Sequence, residues 1–172
     1  SQHRDRIPEK FSSQISLADH QKAADYTCAK TRMEYLSILL HAALLLYLTL
    51  GGGLNALNQF WGAQFDDSLI QGMVLIISVF LITAVAEIPL SYYRTFVIEE
   101  QFGFNKMTPA MFLGDLFKKA SVGLLLAAPL LFGMLWSMEK MGEYWWVYAW
   151  IGWISFNSFV LAIFPTWIAP LF

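Results

Sequence analysis

The stretch Leu69–Tyr93, LIQGMVLIISVFLITAVAEIPLSYY, contains no Asp, Lys or Arg, and its only acid is Glu87. A bilayer core about 30 Å thick is crossed by about 20 helical residues. This run is long enough. Within lipid no water is available to the backbone, so an isolated spanning segment must pair its N–H and C=O groups internally, as a helix. If such runs recur, the protein is an all-α membrane protein.

They recur three times. Tyr35 to about Leu54, Ala120 to Met138, and about Tyr144 to Pro165 are all free of Asp, Glu, Lys and Arg. The expected architecture is four transmembrane helices, at 35–54, 69–93, 120–138 and 144–165, in one membrane domain over 35–172. Composition agrees. The chain is 57% hydrophobic and only 14% charged, against about 25% charged in an average soluble domain. Its net charge of −2 is too small to suggest nucleic acid or an acidic partner. Ser1–Glu34 carries a charge every few residues and has no apolar core of the kind a secretory signal needs. Cys28 is the only cysteine, so an intrachain disulfide is excluded. It reads as a small buried helix residue.

The distribution of cations sets the orientation. Arg4, Arg6, Lys10, Lys22, Lys30 and Arg32 precede the first span, and Arg94, Lys106, Lys118 and Lys119 lie between the second and third. Lys140 alone falls on the other side. The positive-inside rule then places both termini of the chain and the 95–119 connection in the cytoplasm. Segment 1–34 is expected to be cytoplasmic and partly helical. Ser16, with Asp19 three residues on, reads as a helix start. Leu17, Ala24, Cys28 and Tyr35 form a stripe at helical spacing. That helix is expected to continue into the first span and to stop at Gly51–Gly53.

The 95–119 connection reads TFVIEEQFGFNKMTPAMFLGDLFKK. Phe96, Phe102, Phe104, Phe112 and Phe117 need burial, either on the end of the bundle or on another domain. Thr108-Pro109 reads as an N-cap followed by Pro at the first helical position. The helix so begun is expected to run on into the third span. The connection is therefore expected to be a folded, partly helical loop.

Its wording resembles the N-terminal membrane region of the type I CAAX prenyl proteases, integral-membrane zinc metalloendopeptidases. Phe96-Val97-Ile98-Glu99-Glu100, Gly103-Phe104-Asn105-Lys106, Thr108, Phe112, Asp115 and Lys118 carry the resemblance, as does the closing Ile168-Ala169-Pro170-Leu171-Phe172. The motif residues singled out as a candidate site are Glu99, Glu100, Gly103, Phe104, Asn105, Lys106, Thr108 and Asp115. The resemblance implies seven helices around an intramembrane chamber closed by a cytoplasm-facing zinc domain. It also implies peptide cleavage by zinc-activated water near a substrate's C-terminus. On that plan this chain supplies helices two to five. The first helix is expected before Ser1, and the HExxH region with the last two helices after Phe172.

No zinc motif occurs within the chain. A helical site needs two His at i and i+4 with a Glu beside the first. The histidines are His3, His20 and His41, and none is followed by Glu. No catalytic residue and no metal ligand is assigned, and this chain alone is expected to be inactive. Zinc belongs to the full-length family. Three polar residues within the spans are candidates for a chamber wall. Glu87 either faces a water-filled cavity or pairs with Arg94 near the interface. His41 either pairs with Glu87 across helices or bonds a carbonyl. Asn157 reads most simply as an interhelical hydrogen-bond former. Expected partners are the lipid bilayer, the missing C-terminal zinc domain, and a peptide or protein substrate of the whole protein. A small four-helix transporter or membrane assembly factor without hydrolytic activity would account for Glu87, though not for the loop's wording.

Overall fold

A computed structural model of the chain describes residues 17–171, and every regular element among them is helical. Helix α1 spans Leu17–Thr49, α2 Gly53–Gly62, α3 Ser68–Tyr93, α4 Pro109–Lys140 and α5 Trp145–Ile163. Two π-helical turns, Arg94–Glu99 and Phe164–Ile168, extend α3 and α5. Three extended helices, Ser68–Glu99, Pro109–Lys140 and Gly142–Ile168, are long and apolar enough to cross a membrane, and α1 with α2 makes a fourth candidate if the pair is one broken span. The protein is a multi-pass integral membrane protein. Large apolar side chains are exposed along its helices, among them Leu39, Leu45, Phe80, Leu125 and Leu161. Such a surface suits lipid, whose tails are as apolar as leucine.

Contacts divide the chain into two units. The first joins the chain up to Gly51 with Ile82–Met107. Here α1 runs unbroken through the boundary between charged and apolar sequence at Tyr35, as expected. The expected start at Ser16 lies outside the described residues. The packed face of α1 differs from the expected one. Leu17, Cys28 and Tyr35 are exposed. Lys22, Tyr26, Ala29, Met33 and Ser37 instead meet the Ile82–Met107 segment. Aromatic and polar partners on that segment select the face, and a weak apolar period within a charged segment does not.

The second unit joins Gly52–Leu81 with the chain from Thr108 onward. The triple glycine does stop α1, with Gly52 at φ 80°, a conformation that glycine adopts without a Cβ penalty. The segment after the glycines, between the first two expected spans, then forms α2. Leu54, Leu57 and Trp61 recur at helical spacing, and Trp61 Nε1 donates to Ser78 Oγ at 2.9 Å. Gln71 Nε2 donates to Asn58 Oδ1 at 2.9 Å, tying α2 to α3. Asp67 Oδ1 accepts from the Leu69 and Ile70 N–H groups at 2.9 and 3.0 Å. It caps α3 by satisfying two donors that have no partner within the helix. Helices α4 and α5 pack where Ser137 and Ala149 are buried, with small residues allowing close approach.

Candidate functional site

Within the first unit, α1 brings Ser37 and His41 to one face, since residues four apart lie one turn along a helix. Glu87 of α3 meets both. Ser37 Oγ lies 3.0 and 3.1 Å from the two Glu87 carboxylate oxygens, and His41 Nε2 lies 3.3 Å from Oε2. Ser37 Oγ is also 3.5 Å from His41 Nδ1. The serine has one proton, so it donates to one acceptor at a time. With Nε2 protonated, His41 donates to the carboxylate and leaves Nδ1 as an acceptor. Glu87 thus takes the cross-helix partner and not Arg94. The Arg94 Nε is buried without a hydrogen-bond partner among the described residues. A carboxylate at the centre of a span costs about 2.5–3.5 kcal/mol on insertion scales. Two donors on α1 offset part of that cost.

Two residues beyond Glu87, Pro89 has no N–H to return to the Val85 carbonyl. One turn later the helix changes to the π form over Arg94–Glu99. The extra residue in that turn shows in the packing. Val97, four residues after Tyr93, is exposed, whereas Ile98, five residues after it, is buried. A groove of about 610 Å³ runs between this stretch and α1. Met33 and Leu36 form one wall, and Pro89, Leu90, Tyr93 and Ile98 the other.

The motif loop begins where this helix ends. Gly103, at φ 74°, donates to the Glu100 carbonyl at 3.0 Å, and the Phe104 N–H donates to the Glu99 carbonyl at 2.8 Å. That pair of bonds is a Schellman ending, which needs a left-handed residue at Gly103. Asn105 holds the next turn. Its Nδ2 donates to Glu100 Oε2 at 2.9 Å, and its Oδ1 accepts from the Met107 N–H at 2.7 Å. The Tyr26 ring on α1 meets Phe102 and Phe104 edge-on, at 5.4 and 5.0 Å between centroids. Lys22 Nζ lies 5.6 Å from the Phe104 centroid, within cation–π range. Three motif residues, Glu99, Glu100 and Asn105, thus build the turn that Gly103 permits, and Phe104 fastens it to α1. Lys106 is exposed.

Thr108 caps α4, its side-chain oxygen accepting from the Met111 N–H at 3.3 Å, with Pro109 at the first helical position. Asp115 pairs with Lys118 one turn on, at 3.6 Å. The expected burial of all five phenylalanines is corrected. Phe112 is 8% exposed, but Phe104 remains 54% and Phe117 76% exposed. Phe117 lies two turns into α4, which leads into an apolar span, and lipid accommodates such a side chain without protein cover. Asn157 also departs from the simplest reading. Its Nδ2 donates to the Trp153 carbonyl of its own helix at 2.8 Å, and the residue is exposed. Sequence reasoning missed Ser37 and Tyr26. Their signal was spacing: each lies on the α1 stripe that carries His41.

A family model described as CAAX prenyl protease N-terminal, five membrane helices, matches residues 1–172. The chain belongs to this family. It is 31% identical over 165 residues to a CAAX prenyl protease 1 homolog of Caenorhabditis elegans, covering 96% of this chain and 36% of that protein. It is 32% identical over 112 residues to a Homo sapiens CAAX prenyl protease 1 homolog, covering 65% and 23% respectively. The crystal structure of S. mikatae Ste24p shares its fold, with a TM-score of 0.82 at 22% identity, over 99% of this chain and 42% of that one. The chain thus spans well under half the length of each of these relatives.

Family resemblance is to a zinc metalloprotease. Zinc needs at least three protein ligands around one point. Among the described residues no three His, Cys, Asp or Glu side chains are so grouped. His41 and Glu87 supply two donors, and the third member of that cluster is the Ser37 hydroxyl. The cluster therefore does not fit the ion, and no chemical step is routed through it.

Proposed function

We propose that this chain forms part of the wall of an intramembrane chamber in a CAAX-protease-like zinc metalloendopeptidase, and provides the surface on which the zinc-bearing region docks. Both termini and the 95–119 loop face the cytoplasm on this reading. The membrane domain covers 35–172, and His41, Glu87 and Asn157 are its chamber-facing polar groups. Zinc and peptide cleavage belong to the region that carries the HExxH motif.

One observation carries the docking role. The loop is ordered by its own hydrogen bonds and by Tyr26, yet Phe104 stays 54% exposed. A fixed apolar side chain on a turn that has already lost its entropy is suited to receive a partner, because less ordering remains to be done on binding. Family membership supports the same reading over the transporter or assembly-factor alternative. The polar cluster on α1 and α3 supports the chamber role, since ionisable groups within spans usually face a bundle interior or a water-filled cavity.

Co-expression tests the proposal. This chain is made as one polypeptide, and the remaining sequence of the parent protein as a second. The two should co-purify and together cleave a CAAX peptide, with neither active alone. Placing Asp at Phe104 should weaken the association while leaving membrane insertion of this chain intact. Full cleavage by the second polypeptide without this chain would refute the docking role.

A further inference from the structure

We propose that the groove between α1 and the Pro89–Gln101 stretch is a binding site for one anionic phospholipid, with its phosphate at Arg32 and an acyl chain along Met33, Leu36 and Leu90. The groove lies wholly within the first unit, and its volume of about 610 Å³ falls in the range of about 300–1,000 Å³ typical of small-molecule sites.

Charge complementarity names the occupant. Among the described residues lining the groove, Arg32 is the only charged one, and no acid is among them. Arg32 is exposed and has no hydrogen bond or ion pair among the described residues. Gln101 adds a neutral polar group to the lining. On the same helix Glu34 is two residues on and so about 200° around, and Asp25 is seven residues back, about 10 Å along the axis. Next to groove-lining Tyr93, Arg94 holds its Nε out of solvent with no partner among the described residues. The segment beside the groove therefore carries an unsatisfied cationic donor as well.

Position along α1 supports the same occupant. Arg32 lies three residues before Tyr35, where the apolar run begins, so its guanidinium falls at headgroup level. Leu36 is one turn deeper, about 6 Å along the axis at 1.5 Å per residue. The groove thus passes from a cation at the interface to apolar walls inside the bilayer. A phospholipid has the same order of chemistry. Pro89 and the π turn lie on the α3 side of the groove. Pro89 supplies no N–H to its helix, and the π turn moves the packed position from Val97 to Ile98.

The test is thermal unfolding of the full-length protein in zwitterionic detergent during titration with phosphatidylglycerol, phosphatidylcholine or inorganic phosphate. Phosphatidylglycerol should stabilise with an apparent affinity about fivefold higher than phosphatidylcholine, the effect of one cation near an anionic lipid. Arg32→Gln should abolish that preference. Leu36→Trp, which fills the groove and keeps the charge, should weaken binding of both lipids. Lys30→Gln, outside the groove lining, should change neither. Equal affinity for the two lipids would overturn the proposal. So would a Leu36→Trp variant that binds as wild type, or inorganic phosphate that stabilises as well as phosphatidylglycerol.

Discussion

Replacing His41 and Glu87 by Leu, singly and together, tests whether the α1–α3 contact is held by polar coupling. His41→Leu removes the 3.3 Å contact to Glu87 and leaves the carboxylate with Ser37 alone. Interhelical polar contacts in membranes average about 0.6 kcal/mol and reach about 1.7 kcal/mol. His41 is 44% and Glu87 29% exposed, which places the expected loss in the lower half of that range. Glu87→Leu behaves differently. It removes a carboxylate whose insertion costs at most about 2.5–3.5 kcal/mol, the value at the centre of a span, and the freed Ser37 hydroxyl can donate to the carbonyl four residues back. That variant should be neutral or more stable. The double variant has no polar pair to lose. Its stability should therefore depart from the sum of the singles by about 0.6 kcal/mol or more, roughly threefold in the folding equilibrium. Reversible unfolding in mixed micelles, followed by tryptophan fluorescence, measures all four proteins. Additivity within about 0.3 kcal/mol would refute the coupling and leave Glu87 as an isolated carboxylate that happens to lie near α1.

The Schellman turn gives a sharper contrast between glycines. Gly103→Ala should destabilise by about 1 kcal/mol because its φ is 74°, whereas Gly123→Ala in α4, with open space at its Cβ, should be neutral or stabilising by about 0.5–1 kcal/mol; thermal melts of both variants check this, and equal effects would contradict it. For orientation, with Cys28 first changed to Ser, a cysteine placed at Asn58 should react with an impermeant thiol reagent in intact cells, and one at Lys106 only after lysis. The reverse pattern would overturn the cytoplasmic placement of the loop.

What could be read from the sequence was whatever depends on solvent or on one turn of backbone. Three charge-free runs and a fourth broken only by Glu87 demand helices because lipid leaves the backbone no other partner, and the fold class followed. Thr108-Pro109 specifies a helix start locally, and it is one. The α2 segment was missed because three glycines mark a stop and only ten residues, Gly53–Gly62, form the helix that follows. Its helix is secured by Trp61 with Ser78 and by Gln71 with Asn58, contacts between elements that no local pattern reveals. The His41–Glu87 pair stayed one of two alternatives for the same reason. Sequence places each group on its helix, but the register between helices depends on the turns that precede them. Neither π turn has a period to detect, since each consists of one inserted residue.

That inserted residue links the features of the first unit. An extra residue rotates everything after it by about 100° relative to a straight α-helix. Before it, Glu87 and Pro89 lie against α1 at Ser37, His41 and Leu36. In a straight continuation Val97 would follow Tyr93 onto that side. The π turn puts Ile98 there instead, and Gln101 and Phe102 follow it at helical spacing. Phe102 then reaches Tyr26, three α-helical turns along α1 from Ser37. The polar cluster, the groove and the aromatic fastening of the motif loop therefore share one face of α1 in sequence order, from His41 back to Lys22. A change that straightened 94–99 would leave the Glu87 contact intact, open the groove at Ile98 and rotate Phe102 and Phe104 away from Tyr26. The loop's placement depends on backbone geometry one helix earlier, and Gly103 then turns the chain toward α4 from a position that this geometry has already set.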